Sequence, residues 1–301
     1  MGIQINLMTE KEFEFENTKK ISAYPDYKFY TIKKDDEVIG GFNMLVMDNL
    51  AHKGSPSAIF DGLVLTSLLS EQETEILMDF ALKRSREAGC YKLVIASETT
   101  ALINLDAIKF QQHGFCFVFN LDNPPVPLTA KSFFDNSNNG VTIVEATAAH
   151  IPAILSLYAQ PDMDDGDILS TQNANRLYNK IEQYPNYKLY IAKFNEKTVG
   201  TFALLIKDNL NEGKLSCIVE DVVVSPDSQG RGIGKIMMNY AISQAKHLSC
   251  DKLTLSSNVK RSTAHSFYRA LGFEQRGISF LVKAEQQLEE TLHRIGYATS
   301  S

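Results

Sequence analysis

The chain repeats itself. Tyr24-Pro25-Asp26-Tyr27-Lys28-Phe29-Tyr30 returns 160 residues later as Tyr184-Pro185-Asn186-Tyr187-Lys188-Leu189-Tyr190. The same offset runs through Gly40/Gly200, Phe42/Phe202, Asp48-Asn49-Leu50/Asp208-Asn209-Leu210, Asp61/Asp221 and Cys90/Cys250, and becomes 158 at Gly114-Phe115/Gly272-Phe273. Solenoid units repeat every ~20–50 residues, so a register this long is a duplicated domain. The 301 residues leave room for two domains of about 150 each. Proline, asparagine and glycine gather at Asp122–Pro127 and Asn136–Gly140, which reads as a connection. We therefore expect a first domain over 1–127, a linker over 128–140, a second domain over 141–284 and a tail over 285–301.

Each half alternates strand-like and helix-like patterns, a mixed α/β class. In the second, strands are expected at Val141–Ala146, Tyr187–Lys193, Thr198–Lys207, Ser216–Val224, near Leu253 and at Ile278–Lys283. Helices are expected at Ala149–Tyr158, Thr171–Glu182, from Ile233 onward, and at Ser262–Leu271.

One stretch carries chemistry. Glu220-Asp221-Val222-Val223-Val224 reads as a buried strand that ends at Pro226-Asp227, and Gln229-Gly230-Arg231-Gly232-Ile233-Gly234-Lys235 then opens a helix. Side-chain-free amides at a helix N-terminus form an anion site, favoured by both the macrodipole and the unpaired N–H groups. A P-loop needs Ser or Thr after its lysine, but Lys235 is followed by Ile236. A dinucleotide fingerprint needs two residues between its second and third glycines, but Gly232 and Gly234 are separated by one.

Gln229-x-x-Gly232-x-Gly234 resembles the pyrophosphate loop of the GNAT superfamily of acetyl-CoA-dependent N-acetyltransferases. Downstream, Asn258, Ala264-His265-Ser266-Phe267-Tyr268 and Leu271-Gly272-Phe273 stand in that family's order. Leu255–Arg261 with Ala264-His265 is similar to aminoalkylphosphonate acetyltransferases, and Glu220-Asp221 is similar to polyamine and glucosamine-phosphate acetyltransferases. The resemblance covers about Val141 to Ala284. It implies two tandem GNAT-like domains, each a mostly antiparallel sheet with one splayed strand pair and flanking helices. It also implies acetyl-CoA as co-substrate. Pantetheine would lie along Val222, Val223 and Val224, and the diphosphate on Gln229, Gly230, Arg231, Gly232, Ile233, Gly234 and Lys235. Asn258 would hold a pantetheine amide, and Lys260 and Arg261 would either meet the ribose phosphate or stay solvated. Glu220 is the expected base, Tyr268 the expected acid for the leaving thiolate, and an N–H near Val222 would polarise the carbonyl.

The first half departs from this pattern. Leu69-Ser70-Glu71-Gln72-Glu73-Thr74 stands where the glycine loop stands in the second half, Phe60 replaces Glu220 and Phe110 replaces Tyr268. Ser70 and Glu73 make a capping box, and acidic side chains take the anion's place. The first half is expected to keep the fold without the chemistry. Because Asp61 persists there, Asp221 reads as structural.

For the acceptor, Asp162-Met163-Asp164-Asp165-Gly166-Asp167 offers an acidic rim, with Asp164 and Asp165 as substrate-binding candidates for a cationic amine. Gly166 at the fifth position argues against a calcium loop, and no metal site is expected. A net charge of −6 argues against nucleic acid. No apolar run reaches the ~18–20 residues of a membrane span. Cys90, Cys116, Cys217 and Cys250 lack metal spacing and read as buried thiols of a cytoplasmic protein. The expected function is acetyl transfer to a small primary amine, with the halves packed as a pseudo-dimer. The alternatives are acetylation of a protein lysine or N-terminus, and a non-enzymatic acetyl-CoA-binding module.

Overall fold

The computed structural model describes residues 2–8, 26–96, 102–103, 110–122, 124, 140–160, 168–209 and 214–282. Most of the expected linker, the tail from 285 and the acidic candidates Asp164 and Asp165 lie outside them. The first half contributes β1 (Gln4–Leu7), β2 (Tyr27–Lys34), β3 (Glu37–Met47), β4 (Ser57–Leu65), α1 (Glu71–Glu87), β5 (Lys92–Ile95) and β6 (Gln112–Asn120). The second contributes β7 (Val141–Glu145), α2 (Ile151–Tyr158), α3 (Thr171–Ile181), β8 (Tyr187–Phe194), β9 (Lys197–Asn209), β10 (Lys214–Val224), α4 (Ile233–His247), β11 (Cys250–Asn258), α5 (Ser262–Ala270) and β12 (Glu274–Leu281). The expected elements of the second half are all present. The last strand starts four residues earlier than its apolar pattern, because Glu274, Gln275 and Gly277 pair through backbone while the side chains of Glu274, Gln275 and Arg276 stay in solvent.

The described strands form one 12-stranded sheet in the order β1-β2-β3-β4-β5-β12-β6-β11-β10-β9-β8-β7. Neighbours run antiparallel except at β4–β5 and β10–β11, which are parallel. The order in the middle is not that of two domains side by side. Each half inserts its last strand between the last two strands of the other. Strand β6 lies between β11 and β12, with Lys252↔Asn120 through Asn258↔Gly114 in register. Strand β12 lies between β5 and β6.

The exchange also mixes the cores. Phe117 and Phe119 of β6 pack under α4 and α5 with Met237, Met238, Ala241, Tyr268 and Phe273. Phe280 of β12 packs with Leu77, Met78 and Leu82 of α1. Phe117 lies 5.7 Å from Tyr268 and Phe119 lies 5.3 Å from Phe273, centroid to centroid. The repeat also makes reciprocal contacts. The Tyr27 hydroxyl donates to the Asp208 carbonyl at 2.9 Å, and its repeat mate Tyr187 donates to the Asp48 carbonyl at 2.5 Å.

An isolated second half lacks the strand that separates β11 from β12, which leaves a row of backbone N–H and C=O groups open. Residues 140–282 expressed alone are expected to pair with a second copy by exchanging β12, giving a dimer by light scattering at micromolar concentration. A well-folded monomer would show that the exchange is dispensable.

Candidate active site

Strands β10 and β11 are paired from Leu215 to Val219 on one side and Cys250 to Leu255 on the other, and then separate. Beyond that point β11 stays with β6, and β10 stays with β9. The fork is widened by a bulge. Glu220 faces Ala203 and Val223 faces Thr201, so Asp221 and Val222 together oppose the single residue Phe202. Asp221 takes φ +56°, a left-handed conformation that is uncommon for a residue other than glycine and usually marks a constrained position.

A cleft of about 510 Å³ runs along this opening, from Val222 and Val224 past Gln229, Gly230, Gly232, Gly234 and Lys235 to Lys260, Arg261 and Tyr268. The N-terminus of α4 forms its head. Gly232 caps that helix with φ +78° and no side-chain hydrogen bond, so the first-turn N–H groups have no side-chain acceptor. A Cβ on Gly230 or Gly232 would meet nothing within 4 Å, so the loop is open to a ligand. Gln229 braces it by donating from Nε2 to the Val224 carbonyl at 3.3 Å. The first half makes the opposite choice. The N-terminus of α1 is filled by its own capping box, with Ser70 N–H on Glu73 Oε2 at 2.9 Å and Glu73 N–H on Ser70 Oγ at 3.3 Å. Lys34 completes it, 2.7 Å from Glu73.

Several expected cofactor residues sit elsewhere. Arg231 is exposed and does not line the cleft. The Val223 side chain is buried in the core, leaving only its backbone for a ligand. Asn258 Oδ1 accepts the Lys260 N–H at 2.9 Å, so any pantetheine contact falls to its NH₂ group. Asn258 lines a second, smaller cavity.

That cavity, about 40 Å³, adjoins the cleft. Val222, Arg261 and Tyr268 line both. Its other walls are Glu220 and Asp221 from β10, Ser256 to Asn258 from β11, and His52, Tyr91, Lys92 and His113 from the first half. Glu220 is 4 % exposed. The Lys92 ammonium donates to Glu220 Oε2 and to Ser256 Oγ, both at 2.6 Å. Burial works against charge on Lys92, but the Glu220 carboxylate and Tyr91 outweigh it and hold its pKa above the ordinary value. Val219↔Leu255 is the last pair before the fork, and Glu220 and Ser256 are the next residue on each strand. Lys92 therefore spans the fork at its root.

Asp221 is buried differently. Burial, then the neighbouring Glu220 charge, push its pKa to about 7; Lys92, the Ala51 N–H and Arg261 only partly counter this. His52 Nε2 stands 3.9 Å from Asp221 Oδ1, too far for a hydrogen bond. Its ring stacks on Tyr91 at 4.0 Å. Burial, with Lys92, His113 and Arg261 nearby, lowers the His52 pKa to about 3, so the imidazole is neutral. Burial first, with Glu220 adding to it against Arg261 and Lys92, raises Tyr268 to about 12, which keeps its hydroxyl protonated at neutral pH. His265, given no role from sequence, directs Nε2 at the Asn258 carbonyl (2.9 Å) and packs on Phe115 and Phe117.

The four first-half residues were not singled out from sequence. Lys92 alone had a local signal: it heads an otherwise apolar strand, Leu93-Val94-Ile95, in a Cys-x-Lys-Leu pattern that both halves share.

Asp221 also makes stability depend on pH. Below about pH 4 its carboxyl is protonated in the folded and unfolded chains alike. Between there and about 7 only the unfolded chain ionises, so folding loses stability as pH rises through that window. Asp221→Asn is expected to raise the melting temperature at pH 8 and to change it little at pH 4, a gain on the order of a few kcal/mol. Equal shifts at both pH values would contradict the buried, proton-bearing carboxyl.

Comparison with known proteins agrees with the geometry. Residues 153–273 match the acetyltransferase (GNAT) family model. The chain is 29 % identical over 96 residues to an aminoalkylphosphonate N-acetyltransferase of Salmonella typhimurium, covering 32 % of this chain and 62 % of that protein. It is 33 % identical over 91 residues to an uncharacterised N-acetyltransferase of Methanocaldococcus jannaschii, covering 30 % and 40 %. These matches span less than two thirds of either relative. A solved tandem GNAT protein from the clavulanic acid biosynthesis pathway overlays 92 % of this chain and 97 % of its own, at 11 % identity and a TM-score of 0.48. The second half of the chain carries a GNAT-family acetyltransferase domain.

Proposed function

We propose that the chain transfers an acetyl group from acetyl-CoA to a primary amine of a small molecule, using the site in its second half. The observation that carries this reading is the junction at Tyr268. The cleft that begins at the bare N-terminus of α4 meets a small cavity holding two carboxylates, and Val222, Arg261 and Tyr268 belong to both. A diphosphate suits the α4 amides, with Lys235 and Lys260 adding positive charge. The thioester would then lie near Val222, where the bulge takes the backbone out of the β9 ladder and leaves an N–H suited to an oxyanion.

In this reaction the ammonium form of the acceptor loses a proton to the Glu220–Asp221 pair. The free amine attacks the thioester carbonyl carbon, the C–S bond breaks, Tyr268 gives its proton to the departing thiolate, and the second proton of the attacking nitrogen returns Tyr268 to its neutral form. The products are an N-acetylated amine and CoA. The cavity is small and walled by both halves, which favours a small acceptor over a protein chain. Keeping Tyr268 and the carboxylates beside the loop favours an enzyme over a cofactor sensor. The relative from Salmonella typhimurium makes an aminoalkylphosphonate a sensible member of the first acceptor panel. No helix among the described residues is long and apolar enough to cross a membrane. All four cysteines are buried outside any disulfide, which fits a cytoplasmic enzyme.

Calorimetric titration with acetyl-CoA and a thiol-release assay over an amine panel test the proposal. Gly234 has no positive φ and its Cβ would meet only side chains, Phe267 at 3.4 Å and Val224 at 3.9 Å, so Gly234→Glu adds charge with little backbone strain. It should weaken acetyl-CoA binding by roughly 10²-fold or more through like-charge repulsion. Tyr268→Phe should retain binding and lower kcat by roughly 10²-fold. Unchanged binding in the first variant, or unchanged kcat in the second, contradicts the proposed roles.

A further inference from the structure

We propose that the first half is a working part of the acceptor site: its Lys92 is a positioning residue that neutralises Glu220 and pins the fork, and Asp221 is the carboxylate that takes the acceptor's proton. This rests on the acetyl-transfer reading above and names the group within it.

The argument begins with the duplicated aspartates. Asp61 and Asp221 are repeat mates, each buried beside its own bulge. Asp61 is sealed: Lys207 Nζ sits 2.7 Å from its Oδ2, the Gly62 N–H donates to its Oδ1 at 2.8 Å, and both charges are buried. The repeat mate of Lys207 is Met47, so the lysine that quenches Asp61 has no counterpart beside Asp221. What approaches Asp221 is the Ala51 N–H and a neutral imidazole at 3.9 Å. Burial pushes Asp61 up, but Lys207 and Lys252 outweigh it and leave it below its ordinary range; Asp221 is pushed to about 7. A base for an ammonium works best near the operating pH.

Glu220 is in the reverse situation. Its Oε2 is held by an ammonium that also binds Ser256. At the mirror position Phe60 replaces Glu220, so the carboxylate that Lys92 meets has no mate in the first half. The Lys92–Glu220 arrangement is thus made in one direction only, from the first half into the second half's cavity. Around Asp221 stand Glu220 on its own strand, Lys92 on β5 and Tyr91 just before it, His52 after β3, Arg261 before α5, Tyr158 on α2 and Tyr187 on β8. Lys92 is the cation that spans both edges of the fork.

In the step itself, the acceptor nitrogen gives its proton to a carboxylate oxygen of Asp221 and then attacks the thioester carbonyl. The C–S electron pair leaves on sulfur, which takes the Tyr268 proton; the second proton of the attacking nitrogen passes through solvent to the Tyr268 oxide, and Asp221 returns its proton to solvent.

The test uses the full chain, acetyl-CoA, and ethylamine as a probe small enough for the cavity. Asp221→Asn should lower kcat by roughly 10²-fold or more, and Glu220→Gln by less than about tenfold, with acetyl-CoA affinity kept in both. Lys92→Met should lower kcat and move the acid limb of the kcat/KM profile to higher pH, because Asp221 then faces an unpaired Glu220 charge. Lys92→Arg should restore both. Because Lys92→Met leaves a buried charge that can unfold the chain, the paired variant Lys92→Met with Glu220→Gln is included, and it should recover activity over Lys92→Met alone. Independently of turnover, carbon-detected carboxyl titration should show one aspartate near pH 7, absent in Asp221→Asn and displaced upward in Lys92→Met. Glu220→Gln as damaging as Asp221→Asn, or a Lys92→Met pH profile identical to the parent's, overturns the proposal. Acetyl-CoA binding without ethylamine turnover in the parent chain counts against the acetyl-transfer reading instead, and the carboxyl titration then decides this one.

Discussion

Backbone pairing across the two halves is the constraint on which everything else depends. A strand inserted between two others must satisfy its N–H and C=O groups on both edges. Strands β6 and β12 each do so only by lying in the other half's gap. The exchange is therefore more than contact between two finished domains. It carries Phe117 and Phe119 into the core beneath Tyr268, and it carries Phe280 into the core beneath α1. It also sets β5, with Lys92 at its first residue, within reach of the fork between β10 and β11. A cavity wall made of His52, Tyr91, Lys92 and His113 follows from that pairing.

Against this shared frame the two copies differ at a few positions, and the differences are mutually consistent. Where the second half has a bare glycine N-terminus, the first has Ser70, Glu73 and Lys34 satisfying the same helix end internally. Where Lys207 of the second half seals Asp61, the related residue of the first half is Met47, which offers Asp221 no such charge. Where the second half has Glu220, the first has Phe60, which is fully buried. In the first half an anion site became a capped helix and a carboxylate became half of a closed ion pair. Both changes exchange binding capacity for internal satisfaction of buried polar groups. The surviving aspartate could pass for a structural residue because sequence shows identity and not environment. Asp61 and Asp221 are the same residue type at the same place in the repeat, with charge partners supplied by opposite halves.

This explains what was legible in the chain. The duplication, the element order, the glycine loop and its helix, and the Phe-Tyr helix are local patterns, and the structure reproduces them. The capped N-terminus of α1 in the first half was legible for the same reason, since a capping box is a four-residue signal. The exchanged strands were not, because β6 and β12 look alike in either pairing and nothing local distinguishes a neighbour 130 residues away from a near one. The four first-half residues in the cavity were hidden by the same fact. Arg231 was over-read: a basic side chain inside a phosphate loop suggests a ligand, but the glycine turn that frees the amides points it to solvent.

The electrostatics of the cavity give the arrangement its logic. Two carboxylates on consecutive residues of one buried strand cannot both stay ionised in a low-dielectric site without a cation. One lysine is present, and it lies on Glu220. The pair plus Lys92 thus carries about one negative charge when Asp221 is ionised and none when it is protonated. On the proposed reading, an ammonium entering the ionised site would be drawn by the Asp221 charge, with Arg261 on the cavity wall opposing it in part, and proton transfer would leave a neutral amine beside a neutral acid. Had Lys207's counterpart been kept, the incoming cation would meet a site with no charge to attract it and no base to receive its proton. On the proposed reading, the Lys207/Met47 difference separates a sealed aspartate from one able to take a proton.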